Sequence, residues 1–348
     1  MQEVMINKRR IGPGAPTYII AEMSANHSQD FDTAVRIVRA AKEAGADAVK
    51  IQTYTPDTLT LDCDKDWFWI RQTIWKGIRL YDLYKEAYMP WEWQPKLKQI
   101  ADGIGIDLFS SPFDPSAVDF LEKMNVPAYK VASFELVDLP LLRRVAATGK
   151  PVIVSTGMAT FEEIEEGILT LREAGADAIA LLKCTSAYPA PLEEANLRTI
   201  PHLADTFSLP VGLSDHTLGS EAALAAVALG ARMIEKHFTL SRSSPGPDSS
   251  FSMEPQEFRE MVHSIRTVEK ALGEVSYEIR GKELESRLFR RSLFVVKDMK
   301  SGDVFTVDNV QSIRPSHGLH TRHLKEILGR RASRDIERGT PLMWDLIQ

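Results

Sequence analysis

Short apolar runs recur along the chain as far as Thr239, and between them the apolar positions switch to the spacing of a helix face. The runs are Thr17–Met23, Ala48–Tyr54, Ile106–Ser111, Ala128–Ser133, Pro151–Gly157, Ala178–Ser186, Pro210–Thr217 and Met233–Thr239. Each is continuously apolar before it ends in small polar or charged residues, the pattern of a strand buried on both faces. Phe31–Ala44 is an amphipathic helix that Gly45 closes, and Glu-Ala-Gly-Ala-Asp-Ala recurs at Glu43–Ala48 and Glu173–Ala178 as a junction from helix to strand. Eight such strands alternating with helices predict an α/β protein, a (β/α)8 TIM barrel. An open doubly wound sheet is the competing architecture, but no GxGxxG follows any strand.

The alternation is broken twice. Thr55–Trp91 is a long insert rich in Trp, Tyr and charge, which reads either as a wall over a site or as a packing patch or subunit contact. After Leu272 a charged helical linker is expected through Arg287. Beyond it Arg291–Lys297, Gly302-Asp303, Val310–Ser316 and Gly339–Leu342 read as short strands separated by turns. The predicted domains are a barrel over 1–272, a linker over 273–288 and a small, mostly β module over 289–348, too small to be comfortable alone.

Charge sharpens that division. The net charge is −6, yet Phe289–Gln348 holds eleven Lys and Arg against seven Asp and Glu, so a basic tail follows an acidic body. This favours docking between the two, within or between subunits, over nucleic-acid binding. No apolar segment is long enough to span a bilayer, and Cys63 and Cys184 are lone cysteines without CxxC spacing, so a reducing cytoplasm is expected and a thiolate metal site is not.

The residues at the strand ends carry the candidate chemistry, because a barrel places its reaction centre at the C-terminal ends of its strands. Side chains alternate along a strand, so Ser214 and His216 share one face, as do Glu235 and His237. Two imidazoles at the same end of neighbouring parallel strands suit one divalent metal (Mn, Mg or Co) with coordination positions left open. The plainer alternative is a pair of hydrogen-bonded strand-end histidines. Lys50 and Lys130 supply fixed positive charge, and Ser111, Ser133, Ser155 and Ser214 supply donors for phosphate or carboxylate oxygens. Backbone amides near Gly157 extend that cradle. A metal acting as Lewis acid on an aldehyde, an enol-type donor held by lysines and Glu22 beside a developing cation form an economical set. A Schiff-base lysine would leave the paired histidines without purpose.

At these residues the chain resembles the sialic acid synthase family. The likeness lies in Ile20-Ala-Glu-Met-Ser-Ala-Asn-His27, Lys50–Tyr54, Phe109–Asp114, Tyr129–Glu135, Ser155–Met158, Gly212–Thr217, Ile234–His237 and Gly246–Asp248. The tail around Ile313-Arg-Pro315 is similar to that family's antifreeze-like (SAF, β-clip) domain. The resemblance implies condensation of phosphoenolpyruvate with an open-chain N-acylated sugar to give a nine-carbon 2-keto acid and phosphate. It implies His216 and His237 as metal ligands, and Lys50, Ser111, Lys130, Ser133, Ser155 and Ser214 around phosphoenolpyruvate. Glu22, Gln52, Tyr188 and Asp248 fall around the intermediate and the sugar, Glu135 and Ser186 are further substrate-binding candidates, and Glu22 and Glu235 are the catalytic carboxylates. Arg314 matches an arginine that reaches another subunit's active site, implying a domain-swapped homodimer. Within the family, Glu22–His27 and Lys183–Ala190 imply 2,4-diacetamido-2,4,6-trideoxy-L-altrose as the sugar, covered by Trp67, Trp69 and Trp75 of the insert. A neuraminate or legionaminate synthase is the alternative within the family, and a non-catalytic carbohydrate-binding protein the alternative outside it. Two departures are visible: Ser186 stands where N-acetylneuraminate enzymes often carry Asn, and Ser316-His317 interrupts the usual Arg-Pro-Gly-x-Gly of the tail.

Overall fold

The computed structural model describes residues 2–244 and 246–348. The chain divides into two compact units, Met1–Gly273 and Glu274–Gln348. In the first, a two-stranded antiparallel hairpin, β1 (Val4–Ile6) and β2 (Arg9–Ile11), precedes eight parallel strands. These are β3 (Tyr18–Glu22), β4 (Ala48–Thr53), β5 (Asp107–Pro112), β6 (Tyr129–Val131), β7 (Val152–Ser155), β8 (Ile179–Cys184), β9 (Val211–Asp215) and β10 (Met233–His237). They pair in chain order, and β10 returns to β3, closing a (β/α)8 barrel.

The helices form where the apolar spacing says they should. In Phe31–Glu43 the buried positions are Ala34, Ile37, Val38 and Ala41, one stripe of a 3.6-residue period laid against the barrel. Asp30 caps its first turn by accepting from the Thr33 amide, and Gly45, at φ +93°, lets the chain leave it while the Ala46 amide bonds back to the Ala41 carbonyl. Helix Phe161–Glu173 begins with a capping box between Thr160 and Glu163.

Register fixes which side chains meet at the C-terminal rim. Glu22 lies level with His237 on one side and Lys50 on the other, Gln52 with Ser111, and Ser214 with both Cys184 and Glu235. Strand β6 stops at Val131, short of the predicted Ser133, because the chain turns there into a 3-10 segment, Ser133–Glu135. The hairpin β1–β2 had no sequence expectation. Its Val4, Ile6 and Ile11 are fully buried in the same core as the barrel.

The second unit has its own core, which includes Leu293, Val295, Phe305, Val310, Ile327 and Leu342. Its regular sheet is only β11 (Ser292–Val295) against β12 (Val310–Ile313). Gly302-Asp303 and Gly339–Leu342 form no strands. Beside them are single bridges, Val304 to Arg331 and Phe294 to Pro341. The linker differs from its expectation as well. Only Lys282–Ser286 is α-helical, and 274–280 has no regular structure. Val275 and Tyr277 are 92% and 95% exposed, so that stretch has no buried face to repay the cost of ordering a helix. Among the described residues no helix is long and apolar enough to cross a membrane.

Candidate active site

A cavity of about 490 Å³ opens at the C-terminal ends of the barrel strands. Its floor is charged. Lys50 Nζ lies 3.2 Å from Glu22 Oε2 and 3.1 Å from Glu235 Oε1, and all three side chains are almost wholly buried. Glu235 Oε1 also accepts from Ser214 Oγ at 3.1 Å and sits 3.9 Å from Lys130 Nζ. Burial raises both carboxyls, but with different outcomes. Glu235, between Lys130 and Lys50, is held below its ordinary value, whereas burial keeps Glu22 above its own despite Lys50. Burial opposes the charge of both lysines as well. Glu22 and Glu235 nevertheless hold Lys50 above its ordinary value, while Lys130 is pushed down to about 8.

Around this floor the candidate residues divide by what they touch. Gln52 donates to Glu22 Oε1 at 2.9 Å and to Ser24 Oγ at 3.0 Å. Ser111 is fully buried on the cavity wall, and its hydroxyl has no protein partner. Ser133 Oγ accepts from the Gly157 amide at 3.1 Å. A Cβ at Gly157 would stand 2.2 Å from Ser186 Oγ and 2.7 Å from Ser133 Oγ, so only glycine lets these groups converge. Ser155 takes a 2.7 Å hydrogen bond from Lys130 and supports it from behind. Neither Ser155 nor Ser186 is on the cavity wall. Glu135 is on it, its carboxyl pushed up to about 7 by burial and its Oε2 unpartnered. Asp248 also lines the cavity, where it accepts from Ser24 Oγ; burial raises its carboxyl.

The two histidines face each other with ring centroids 5.3 Å apart. His216 Nδ1 is 2.9 Å from the Thr185 carbonyl, which fixes that nitrogen as the donor and leaves Nε2 free to accept when the ring is neutral. His237 Nδ1 is buried without a partner, and burial, followed by the neighbouring His216, holds the ring far below its ordinary pKa and therefore neutral. Burial opposes the charge of His216 too, but Cys184 and the Thr185 carbonyl hold that ring above its ordinary value, so the pair beside the unpartnered Glu235 Oε2 would fit a divalent cation once His216 gives up its proton. Among the described residues no group of three or more His, Cys, Asp or Glu is arranged to hold one. The Tyr188 ring lies 4.3 Å from that of His216.

The insert is part of the wall. Leu59, Ile70, Leu80, Leu83 and Tyr84 line the cavity opposite the charged floor, and Trp75 closes it, donating from Nε1 to the Pro247 carbonyl at 3.3 Å. Trp67 and Trp69 do not. Trp67 is 76% exposed, and Trp69 turns its indole to the Asp64 carbonyl, which corrects the expectation that all three cover the sugar. Arg314 is an exposed residue of the second unit, immediately after β12.

Some functional neighbours were not singled out from the sequence. Ser24 joins Gln52 to Asp248, and Asn26 ties the same loops by donating to the Phe238 carbonyl and to Ser252. Their signal was present in the polar run Ser24–Ser28 after the first strand. Cys184, treated as a lone cysteine, lies 3.8 Å from His216 Nδ1; burial raises its thiol, but the ring beside it brings it down to about 6.

The NeuB family profile matches residues 37–277, and the SAF domain profile matches residues 290–348. The chain belongs to the NeuB family. It is 46% identical to a pseudaminic acid synthase of Helicobacter pylori over 96% of this chain and 98% of that protein. Against an N,N'-diacetyllegionaminic acid synthase of Legionella pneumophila the identity is 37%, over 97% and 96%. Among solved structures, the spore coat polysaccharide biosynthesis protein SpsE of Bacillus subtilis superposes with a TM-score of 0.69 at 36% identity, covering 100% of this chain and 99% of that one.

Proposed function

We propose that this NeuB family chain is a pseudaminic acid synthase. It joins phosphoenolpyruvate to 2,4-diacetamido-2,4,6-trideoxy-L-altrose, giving a nine-carbon 2-keto acid and phosphate by C–O cleavage. The observation that carries this reading is the near full-length likeness to the Helicobacter enzyme, which exceeds that to the legionaminic acid synthase. The cavity is consistent with it, since a doubly acylated, deoxygenated sugar suits the apolar roof and an anionic donor suits the lysine floor.

In this reading Lys50 and Lys130 bind the phosphate and carboxylate of phosphoenolpyruvate, and the Ser111 hydroxyl donates to it. As C3 forms its bond to the sugar aldehyde carbon, positive charge develops at C2. The Glu22 carboxylate stabilises that charge, and water adds at C2 with loss of a proton. The aldehyde oxygen becomes a hydroxyl by taking up a proton, and Glu135, with its carboxyl near 7, can hold one for it at Oε2. The C2–O bond to phosphate then breaks, phosphate leaves with the electron pair, and the C2 hydroxyl gives up its proton, so the ketone forms. The sialic acid synthase family is generally metal-dependent. Mn, Mg or Co held by His216 and His237 would supply Lewis-acid polarisation of the aldehyde, and Glu235 would orient water beside it. Arg314 reaches the sugar of a second subunit in a domain-swapped homodimer, a reading supported by the basic module, the acidic body and the exposed linker. The reaction is placed in the cytoplasm.

The test is phosphate release from phosphoenolpyruvate with each sugar, with the product weighed by mass spectrometry. A higher kcat/KM with the diacetamido sugar than with N-acetylmannosamine is expected. The reverse order would reassign the chain to the neuraminate branch. Chelation is expected to abolish turnover and added Mn to restore it; turnover in a His216→Ala, His237→Ala double variant would remove the metal from this scheme.

A further inference from the structure

Directly behind the imidazole pair lies a second buried ion pair that does not enter the cavity. Asp215 and Lys236 are ladder partners at the end of β9 and β10, each the residue immediately before a histidine. Because side chains alternate along a strand, both point away from the cavity, and neither lines it. Lys236 Nζ donates to Asp215 Oδ2 at 2.7 Å, with side-chain exposures of 3% and 1%.

The same ammonium reaches past the strand end to the Thr217 carbonyl, also at 2.7 Å. Asp215 Oδ1 in turn accepts from the Thr217 amide at 2.9 Å and the Thr217 hydroxyl at 2.8 Å. His216 is thus bracketed by two residues that Lys236 ties down. This matters because β9 ends at Asp215, while β10 continues through His237, level with Glu22. His237 is placed by the sheet. His216 is placed by side chains on either side of it, by the Ala190 amide on its carbonyl at 2.9 Å and by the Thr185 carbonyl, to which its ring Nδ1 donates at 2.9 Å.

We propose that the Asp215–Lys236 pair is a positioning device that sets the spacing of the His216 and His237 rings, and through it the affinity of the site for a divalent cation. The inference rests on the reading of these rings as a metal pair. A buried ion pair is poor evidence for stability, since burying two charges costs about what their attraction returns. Three hydrogen bonds that hold Thr217, the residue after His216, and a fourth that joins Lys236 to Asp215 are instead what fixes a coordination geometry.

The experiment titrates the full-length protein with Mn2+ alone, followed by electron paramagnetic resonance of the free ion. Phosphoenolpyruvate affinity of the chelated protein and the thermal melt are measured in parallel. The double variant Asp215→Leu, Lys236→Met removes both charges together, so neither is left buried alone. Its Mn2+ dissociation constant is expected to rise about 10- to 100-fold, while phosphoenolpyruvate affinity stays at the wild-type value because Lys50 and Lys130 are untouched. Lys236→Gln keeps a donor for the Thr217 carbonyl and falls between; it supplies the answer if the double variant does not fold. Wild-type Mn2+ affinity in either folded variant overturns the proposal, as does an equal loss of phosphoenolpyruvate affinity, which would mean that the pair merely holds the barrel together. If the wild-type protein binds no Mn2+, the metal reading of the histidines falls first and this inference with it.

Discussion

Two lysines share one buried carboxylate, Glu235, yet their surroundings treat them differently. Lys50 lies within 3.2 Å of both Glu22 and Glu235 and keeps its proton, whereas Lys130 stands 3.9 Å from Glu235 and is pushed down to about 8. As pH rises through that value Lys130 loses the charge that would attract phosphoenolpyruvate. The kcat/KM for phosphoenolpyruvate should therefore have an alkaline limb near pH 8, weaker in kcat because a bound anion stabilises the ammonium. A profile flat above pH 8 would mean that Lys130 does not bind the substrate as a cation. Gly157 makes a second residue-scale case. An added methyl must displace Ser186 or Ser133, and a misplacement of this size near reacting groups costs about 100-fold in rate. Gly157→Ala should lose about that in kcat/KM for phosphoenolpyruvate with little change in melting temperature. These residues were named from the sequence but their meeting was not, since serines at strand ends can be counted in a sequence but their convergence on one glycine cannot.

At the scale of elements, the insert and the N-terminal hairpin serve different ends of the barrel's business. The insert supplies the apolar roof, and its one indole hydrogen bond to the opposite loop comes from Trp75. Losing that bond and the ring's cover should raise the sugar KM about tenfold in Trp75→Ala, since a hydrogen bond contributes about 1 kcal/mol and buried apolar area adds to it. Trp67→Ala, at an exposed position, serves as the control and should change nothing; equal effects from both would mean the roof is not formed by this residue. The hairpin carries no site residue, yet Ile6 is wholly buried. Ile6→Ala is expected to cost about 2 to 5 kcal/mol in urea unfolding while leaving both KM values unchanged. The three-residue strands of this hairpin lie in no longer apolar run and are too short to show a period, whereas β6, equally short, lies within the run Ala128–Ser133.

For the whole molecule the decisive question is whether one subunit completes another. Glu22→Ala and Arg314→Ala should each be nearly inactive; mixed under conditions of subunit exchange, they should recover activity, because a swapped dimer then contains one site with neither defect. Verified exchange without recovery would place Arg314 in its own subunit's site or in none. The change in pattern after Leu272 and the basic tail are features of the sequence itself, and the chain divides into compact units at Gly273. The barrel was readable there too, because eight continuous apolar strands can be buried only when both faces are covered, and that demand is written into residue order. The polar residues that end those strands also marked the rim around the cavity. What composition and order could not contain is which of those residues meet. Register across the closed barrel sets Glu22 beside Lys50 and His237, and Ser214 beside Glu235. The turn at Gly157 draws Ser133 and Ser186 together, and the insert brings Trp75, not Trp67 or Trp69, to the cavity. Local periodicity acts over a few residues, whereas these contacts join positions far apart in the chain, so only closure of the barrel decides them.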